Sequence, residues 1–136
     1  MNPKYLLDTN ICIYLIKHQS PHLLDKFLSI PIQELSIPSI TVAELRYGAD
    51  KSSYPEKNHS NLDEFLLPFT ISEFTETSAF HYGKIRSYLE KKGLPIGSLD
   101  LLIAAIALSE NQILVTNNLS EFKRVPGLSL ENWVKK

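Results

Sequence analysis

The chain has 136 residues, and its 14 Lys and Arg against 15 Asp and Glu give a formal net charge of −1. This length suits one domain with its own core, and a composition of 43% hydrophobic and 21% charged residues excludes a disordered or fibrous chain. No apolar run reaches the roughly 20 residues of a membrane span, the lone Cys12 suits a reducing cytoplasm, and the near-zero charge argues against a nucleic-acid binder.

Apolar strand patterns alternate with helical patterns along the whole chain, and this alternation predicts an α/β fold around a parallel sheet. No linker or repeat divides it. In chain order the predicted elements are a strand over 4–7, helices over 11–17 and 21–29, a strand over 35–37, a helix over 40–49 capped by Ser39 or Thr41, a loop over 50–54, a helix over 55–67, a strand over 68–71, a helix over 73–92, a helix over 99–109 capped by Ser98, and strands over 112–115 and 128–130.

For two acidic side chains, the sequence is compatible with either a structural role or a functional role. Asp8 directly follows the first predicted strand, on the side where open α/β sheets bind ligands, although it could simply cap the next helix. Glu44 shares a helical face with Ile40 and Tyr47, and a carboxylate in an apolar stripe costs several kcal/mol unless it is paired, neutralised or metal-bound. Its alternative is a boundary position that reaches solvent.

Asp100 opens the most apolar helix of the chain, where a negative charge in the first turn is also favourable for structural reasons. If Asp8, Glu44 and Asp100 converge within ~5 Å, each pair repels by roughly 3 kcal/mol at an effective dielectric of 20. Only protonation or a bound cation makes such a cluster tolerable. Oxygen ligands without His or Cys favour a hard ion, so the cluster predicts Mg²⁺, with Mn²⁺ as the second choice.

Four segments match a known pattern in its order and spacing, and together they span nearly the whole chain. They read LLDTNICIYLI from Leu6, SITVAELRYGA from Ser39, LPIGSLDLLIAAIA from Leu94 and ILVTNNLSEFKRVPGL from Ile113. On these segments the sequence resembles the PIN domain family, and within it the VapC-type toxins of bacterial type II toxin–antitoxin systems. The resemblance implies one PIN domain over 1–136, a three-layer α/β/α sandwich with a mostly parallel sheet of four to five strands, and an acidic Mg²⁺ or Mn²⁺ site.

The resemblance also assigns roles to individual residues. Asp8, Glu44 and Asp100 match the first three acids of the family, which bind the metal and act in catalysis. The fourth acid is often Asp, and here Asn118 takes its position, with an oxygen that can still bind a cation but without a charge. Glu121 is a possible substitute, although its nearer match is a structural position beside Phe122. Residues expected to orient the carboxylates or metal-bound waters are Thr9, Asn10 and Thr116.

A set of carboxylates with one or two Mg²⁺ ions suits the hydrolysis of a phosphodiester. The resemblance implies an endoribonuclease that acts as a toxin on RNA, a cognate antitoxin that blocks the acidic site, and a homodimer. Loading with metal would make the working surface more positive, so the charge balance no longer argues against RNA. The alternatives are a PIN nuclease of RNA processing, a weakly catalytic binding module whose site has decayed at Asn118, and an α/β domain acting on a small phosphate ester.

Overall fold

Five short parallel strands form the centre of the fold. In the computed structural model, which describes residues 3–134, the sheet order is β3-β2-β1-β4-β5 and every neighbouring pair is parallel. The predicted α/β fold with a central parallel sheet is therefore confirmed. The four remaining residues of the predicted domain, 1, 2, 135 and 136, lie outside the described part. The strands are β1 (Tyr5–Leu7), β2 (Leu35–Pro38), β3 (Thr70–Ser72), β4 (Ile113–Val115) and β5 (Ser129–Glu131).

Helices occupy most of the chain between the strands. Seven α-helices lie within residues 3–134, and a 3₁₀ turn over Ile32–Glu34 precedes β2. None of these helices is long and apolar enough to cross a membrane. The helices are α1 (Thr9–Lys17), α2 (Pro21–Leu28), α3 (Ser39–Lys51), α4 (Pro55–Leu66), α5 (Glu76–Lys91), α6 (Ser98–Ser109) and α7 (Leu119–Phe122).

The alternation of side chains along the strands divides the hydrophobic core between the two faces of the sheet. Leu7 and Val115 pack into a cluster with side chains of α1 to α4. Leu6 and Leu114, one position earlier in each strand, pack into a second cluster with α5, α6 and α7. Because successive side chains of a strand point to opposite faces, two helical layers cover one sheet. This arrangement is the predicted three-layer α/β/α sandwich.

The order of the strands places a topological switch point between β1 and β4. The chain runs from β1 outward through β2 to β3, and then returns to the other side of β1 for β4 and β5. In open parallel sheets a crevice forms at such a point, outside the carboxyl ends of the strands. We therefore expect the functional residues to follow β1 and β4.

Two of the predicted helix caps are wrong. The helix α3 begins at Ser39, its N-cap position is occupied by Pro38, and no side chain caps the first turn. Thr41, the other predicted cap, is buried inside α3 and its hydroxyl contacts Thr9 instead. Ser98 is the first residue of α6 rather than its cap, because the N-cap position belongs to a glycine. For Thr41, a tertiary contact thus uses the hydroxyl that the local sequence assigned to capping.

Other boundaries also shift. The helix α5 begins at Glu76 rather than at 73, because Thr75 and Ser78 form a reciprocal capping box there. The helix α3 extends to Lys51, two residues into the predicted loop, and the buried Ala49 lies directly before this extension. It ends where the backbone N–H and the hydroxyl of Ser52 both donate to the carbonyl of Ala49. The helix α7 was absent from the prediction.

Candidate active site

Asp8 lies directly after the central strand β1, at the switch point. Its side chain is 5% exposed, and its Oδ1 accepts a hydrogen bond of 3.0 Å from the backbone N–H of Ile11, so it caps α1. Thr116, which is fully buried and follows the neighbouring strand β4, supplies a second hydrogen bond to the carboxylate. The structural role considered for Asp8 is therefore real, but it does not explain why a charge is buried here.

The pKa of Asp8 shows what that burial costs. Burial is the largest effect and raises the pKa from 3.8 to about 6, although the hydrogen bonds from Thr116 and Ile11 act in the opposite direction. The value of about 6 already includes smaller contributions from the negative charges of Asp100 and Glu44, which also raise the pKa. The charges of Asp100 and Glu44 therefore act on Asp8, and the charge of Glu44 also acts on Asp100. A positive charge placed among them would relieve both the burial cost and the repulsion.

Glu44 is held by hydroxyl groups rather than by an apolar surface. The Thr9 hydroxyl donates to its Oε1 at 2.5 Å, and the Thr41 hydroxyl lies 3.0 Å from that of Thr9. Because the proton of Thr9 is directed to the carboxylate, Thr41 is the donor in this second bond. The apolar stripe predicted around Glu44 is not fully buried, since Tyr47 on the same helix is 65% exposed. Glu44 is half-buried, with one oxygen fixed by Thr9.

Asp100 and Glu121 are the second pair of acids, and together with Asp8 and Glu44 they make up the acidic cluster. Asp100 lies in the first turn of α6 and is half-buried. Burial raises its pKa most, followed by the charge of Glu121 and then by that of Glu44. Glu121 on α7 thus acts on Asp100 more strongly than Glu44 does. The sequence pattern favoured a structural role for it, and the available signal was its spacing of three residues from Asn118, which places both on one side of a helical turn.

Asn118, in the position of the family's fourth acid, faces Glu121. Its side-chain Nδ2 donates to Glu121 Oε2 at 2.7 Å, and its backbone N–H donates to Thr116 Oγ1 at 2.9 Å. Asn10, in contrast, is exposed, and the hydrogen bonds of the described residues include none from its side chain to an acid. Its predicted orienting role therefore stays a prediction, whereas Thr9 and Thr116 do contact carboxylates.

The chemistry of this donor set fits a hard divalent cation. All four carboxylates offer only oxygen atoms, which are the ligands that Mg²⁺ and Mn²⁺ prefer. Within residues 3–134, however, no three His, Cys, Asp or Glu side chains lie close enough to hold an ion in their present orientations. Metal binding by Asp8, Glu44 and Asp100 therefore stays a prediction, supported by the mutual effect of their charges.

Comparison with known proteins agrees with the fold. The family model described as the PIN domain matches residues 5–128. Ribonuclease VapC2 of Rickettsia felis is 50% identical over 132 residues, which cover 96% of this chain and 98% of that protein. The tRNA(fMet)-specific endonuclease VapC of Salmonella typhimurium is 41% identical over 130 residues, with the same shares covered.

Solved structures extend the likeness to three dimensions. The crystal structure of VapBC2 from Rickettsia felis bound to a DNA fragment from their promoter matches with a TM-score of 0.87 and 47% identity, over 95% of this chain and 98% of that one. The crystal structure of DNA-bound VapBC from Salmonella typhimurium matches with a TM-score of 0.90 and 40% identity, over 96% and 98%. The chain therefore belongs to the PIN domain family and, within it, to the VapC proteins.

Proposed function

We propose that this protein is a Mg²⁺-dependent endoribonuclease and the toxin of a toxin–antitoxin pair. The observation that carries the proposal is the buried Asp8 at the switch point, whose pKa the charges of Asp100 and Glu44 help to raise. A domain keeps such an arrangement when a ligand compensates for its cost. The names of full-length relatives support RNA as the substrate class, because they are called ribonuclease and tRNA endonuclease.

The residues have distinct parts in this proposal. Asp8, Glu44, Asp100 and Glu121 would hold Mg²⁺ or Mn²⁺, and the bound ion would activate a water and offset the charge that develops on the scissile phosphate. Thr9 orients the carboxylate of Glu44, and Thr116 that of Asp8. The N–H of Ile11 fixes Oδ1 of Asp8. These bonds reduce the reorganisation that binding would require.

Partners follow from the same charge distribution. An acidic cluster is a binding site for a cationic side chain as well as for a metal ion, and a bidentate arginine is the strongest such partner. We propose that a cognate antitoxin covers the cluster in this way, and solved relatives are VapBC complexes. We further propose that the protein acts in the cytoplasm as a homodimer. Structured RNA, and tRNA in particular, is the first substrate class to test.

Purified protein incubated with total RNA and tRNA in Mg²⁺ is expected to cleave RNA, and EDTA is expected to prevent cleavage. Asp100→Asn should reduce the rate at least ~100-fold, because it removes a ligand charge from the cluster. Asp25→Asn is a matched control, since this exposed aspartate lies on α2. Equal cleavage by wild type and Asp100→Asn would indicate a contaminating nuclease. Antitoxin binding without any cleavage would instead support the weakly catalytic binding module.

Replacing Thr9 tests the hydroxyl that holds Glu44. Thr9→Val keeps the shape of the side chain and removes the donor, so the carboxylate is free to rotate and kcat/KM should fall about 10-fold. Thr9→Ser retains the hydroxyl and should keep activity within about 3-fold of wild type. Steady-state cleavage of one defined RNA measures both variants. An equal loss in Thr9→Val and Thr9→Ser would show that the hydroxyl is not what matters.

A further inference from the structure

We infer that Asn118 is a positioning residue whose side-chain amide holds Glu121 against the acidic cluster. This inference deepens the proposed function and rests on it. It differs from both roles considered for Asn118, namely a direct ligand through its oxygen and the remnant of a decayed site.

The geometry around Asn118 leaves little choice for its orientation. A carboxylate can only accept hydrogen bonds, so the group that lies 2.7 Å from Glu121 Oε2 must be the donating Nδ2. The amide oxygen points to the other side, where the Ser120 hydroxyl donates to it at 3.4 Å. The amide therefore presents its donor to the acid and its acceptor to its own turn.

The backbone of Asn118 is fixed as firmly as its side chain. Its N–H donates to Thr116 Oγ1, and Thr116 is the residue whose hydroxyl hydrogen-bonds to Asp8. One short turn after β4 thus contacts Asp8 through Thr116 and Glu121 through Asn118. The two halves of the acidic cluster are connected through this turn.

Glu121 is also oriented by the segment that carries Asp100. The backbone N–H of Gly97, directly before α6, donates to Glu121 Oε1 at 3.4 Å, so each carboxylate oxygen has a different donor. The charge of Glu121 is in turn the largest electrostatic influence on Asp100. A side chain bonded in this way is placed to act on the cluster, and its release would withdraw one negative charge from it.

An aspartate at position 118 could not replace the amide. It has no proton to donate at neutral pH, and it would set a second carboxylate against Glu121. The asparagine is therefore the residue type that the contact requires, provided that Glu121 carries the charge. This is why the loss of an acid at position 118 does not by itself indicate a decayed site.

A double-mutant cycle on Mn²⁺ affinity tests the inference. In the wild-type background, Asn118→Ala is expected to weaken Mn²⁺ binding about 10-fold, measured by isothermal titration calorimetry. In the Glu121→Gln background the same substitution should change affinity less than about 2-fold, because its target charge has gone. The control is Asn117→Ala, since Asn117 accepts a hydrogen bond from Asn132 and not from the acids. It should leave affinity unchanged in both backgrounds.

Thermal unfolding of the metal-free proteins distinguishes positioning from a purely structural role. If Asn118→Ala only disturbed the fold, its effect would appear equally in both backgrounds and in the unfolding midpoint. An equal loss of Mn²⁺ affinity in both backgrounds, or no loss in either, would overturn the inference. Wild-type protein that binds no Mn²⁺ and cleaves no RNA would overturn the proposed function as well. Wild-type binding and cleavage without coupling would overturn the inference alone.

Discussion

Asp8→Asn is expected to reduce RNA cleavage at least ~100-fold and, at the same time, to make the metal-free protein more stable by about 3 kcal/mol at pH 7. Asparagine caps a helix as well as aspartate does, so the bond from Ile11 is retained. The substitution removes a buried carboxyl group whose pKa is raised from 3.8 to about 6. The substitution therefore separates the stability of the fold from the charge that function needs.

Parallel measurements of cleavage and of denaturant unfolding check this expectation. In EDTA the wild type should unfold at a lower denaturant concentration than Asp8→Asn. Mg²⁺ should stabilise the wild type much more than the variant, because a ligand that binds only the native state stabilises it by mass action. Asp25→Asn, exposed on α2, should leave cleavage and stability near wild type. A variant less stable than wild type in EDTA would show that the Asp8 charge is already compensated within the protein.

The pH dependence of metal-free stability is the second large effect. The pKa of Asp8 is about 6 in the folded protein and close to 3.8 in the unfolded chain, so the native state binds the proton more tightly. The stabilisation that the native state gains from this tighter proton binding is fully present below the pKa of the unfolded chain. It is lost as the pH rises through the pKa of the folded protein. The total is about 3 kcal/mol, because each pKa unit corresponds to about 1.4 kcal/mol. The pKa of Asp100 is also raised, so its effect on stability changes with pH in the same direction.

The comparison with Asp8→Asn isolates this contribution from the other titrating groups. The stability difference between variant and wild type in EDTA should grow from about 1 kcal/mol at pH 4.5 to about 3 kcal/mol at pH 7. Urea unfolding at several pH values measures it, and saturating Mg²⁺ should reduce the difference. A difference that stays constant with pH would mean that Asp8 does not titrate between these values.

Much of the fold could be predicted because its elements are encoded locally. The apolar run 5–7 is buried throughout and the apolar helix over 98–109 is buried through its middle, and their patterns identify them without tertiary information. The boundaries were less predictable. Thr41 looks like a helix cap in the sequence, but inside the fold its hydroxyl contacts Thr9, which in turn donates to Glu44. A cap and a side-chain contact use the same hydroxyl, and only the packing decides between them.

The candidate site divides in the same way. Asp8, Glu44 and Asp100 could be proposed from the sequence because they match the acids of the family motifs in order and spacing, although each alone also has a structural explanation. The importance of Glu121 could not be judged from the sequence, since its influence on Asp100 depends on how α7 lies against the start of α6. The role of Asn118 also depends on a contact, because an amide can donate or accept and only its neighbour shows which.

The sequence alone therefore determined the α/β class, the order of all elements except α7, the family and three candidate acids, because hydrophobic periodicity and short motifs are local properties. The tertiary structure decided which acids lie near enough to act on Asp8 and Asp100, that Thr9 holds Glu44, and that Asn118 contacts Glu121. The physical reason is that electrostatic and hydrogen-bonding energies depend on distances between residues far apart in the chain. Those distances exist only once the sheet has brought the ends of β1 and β4 together.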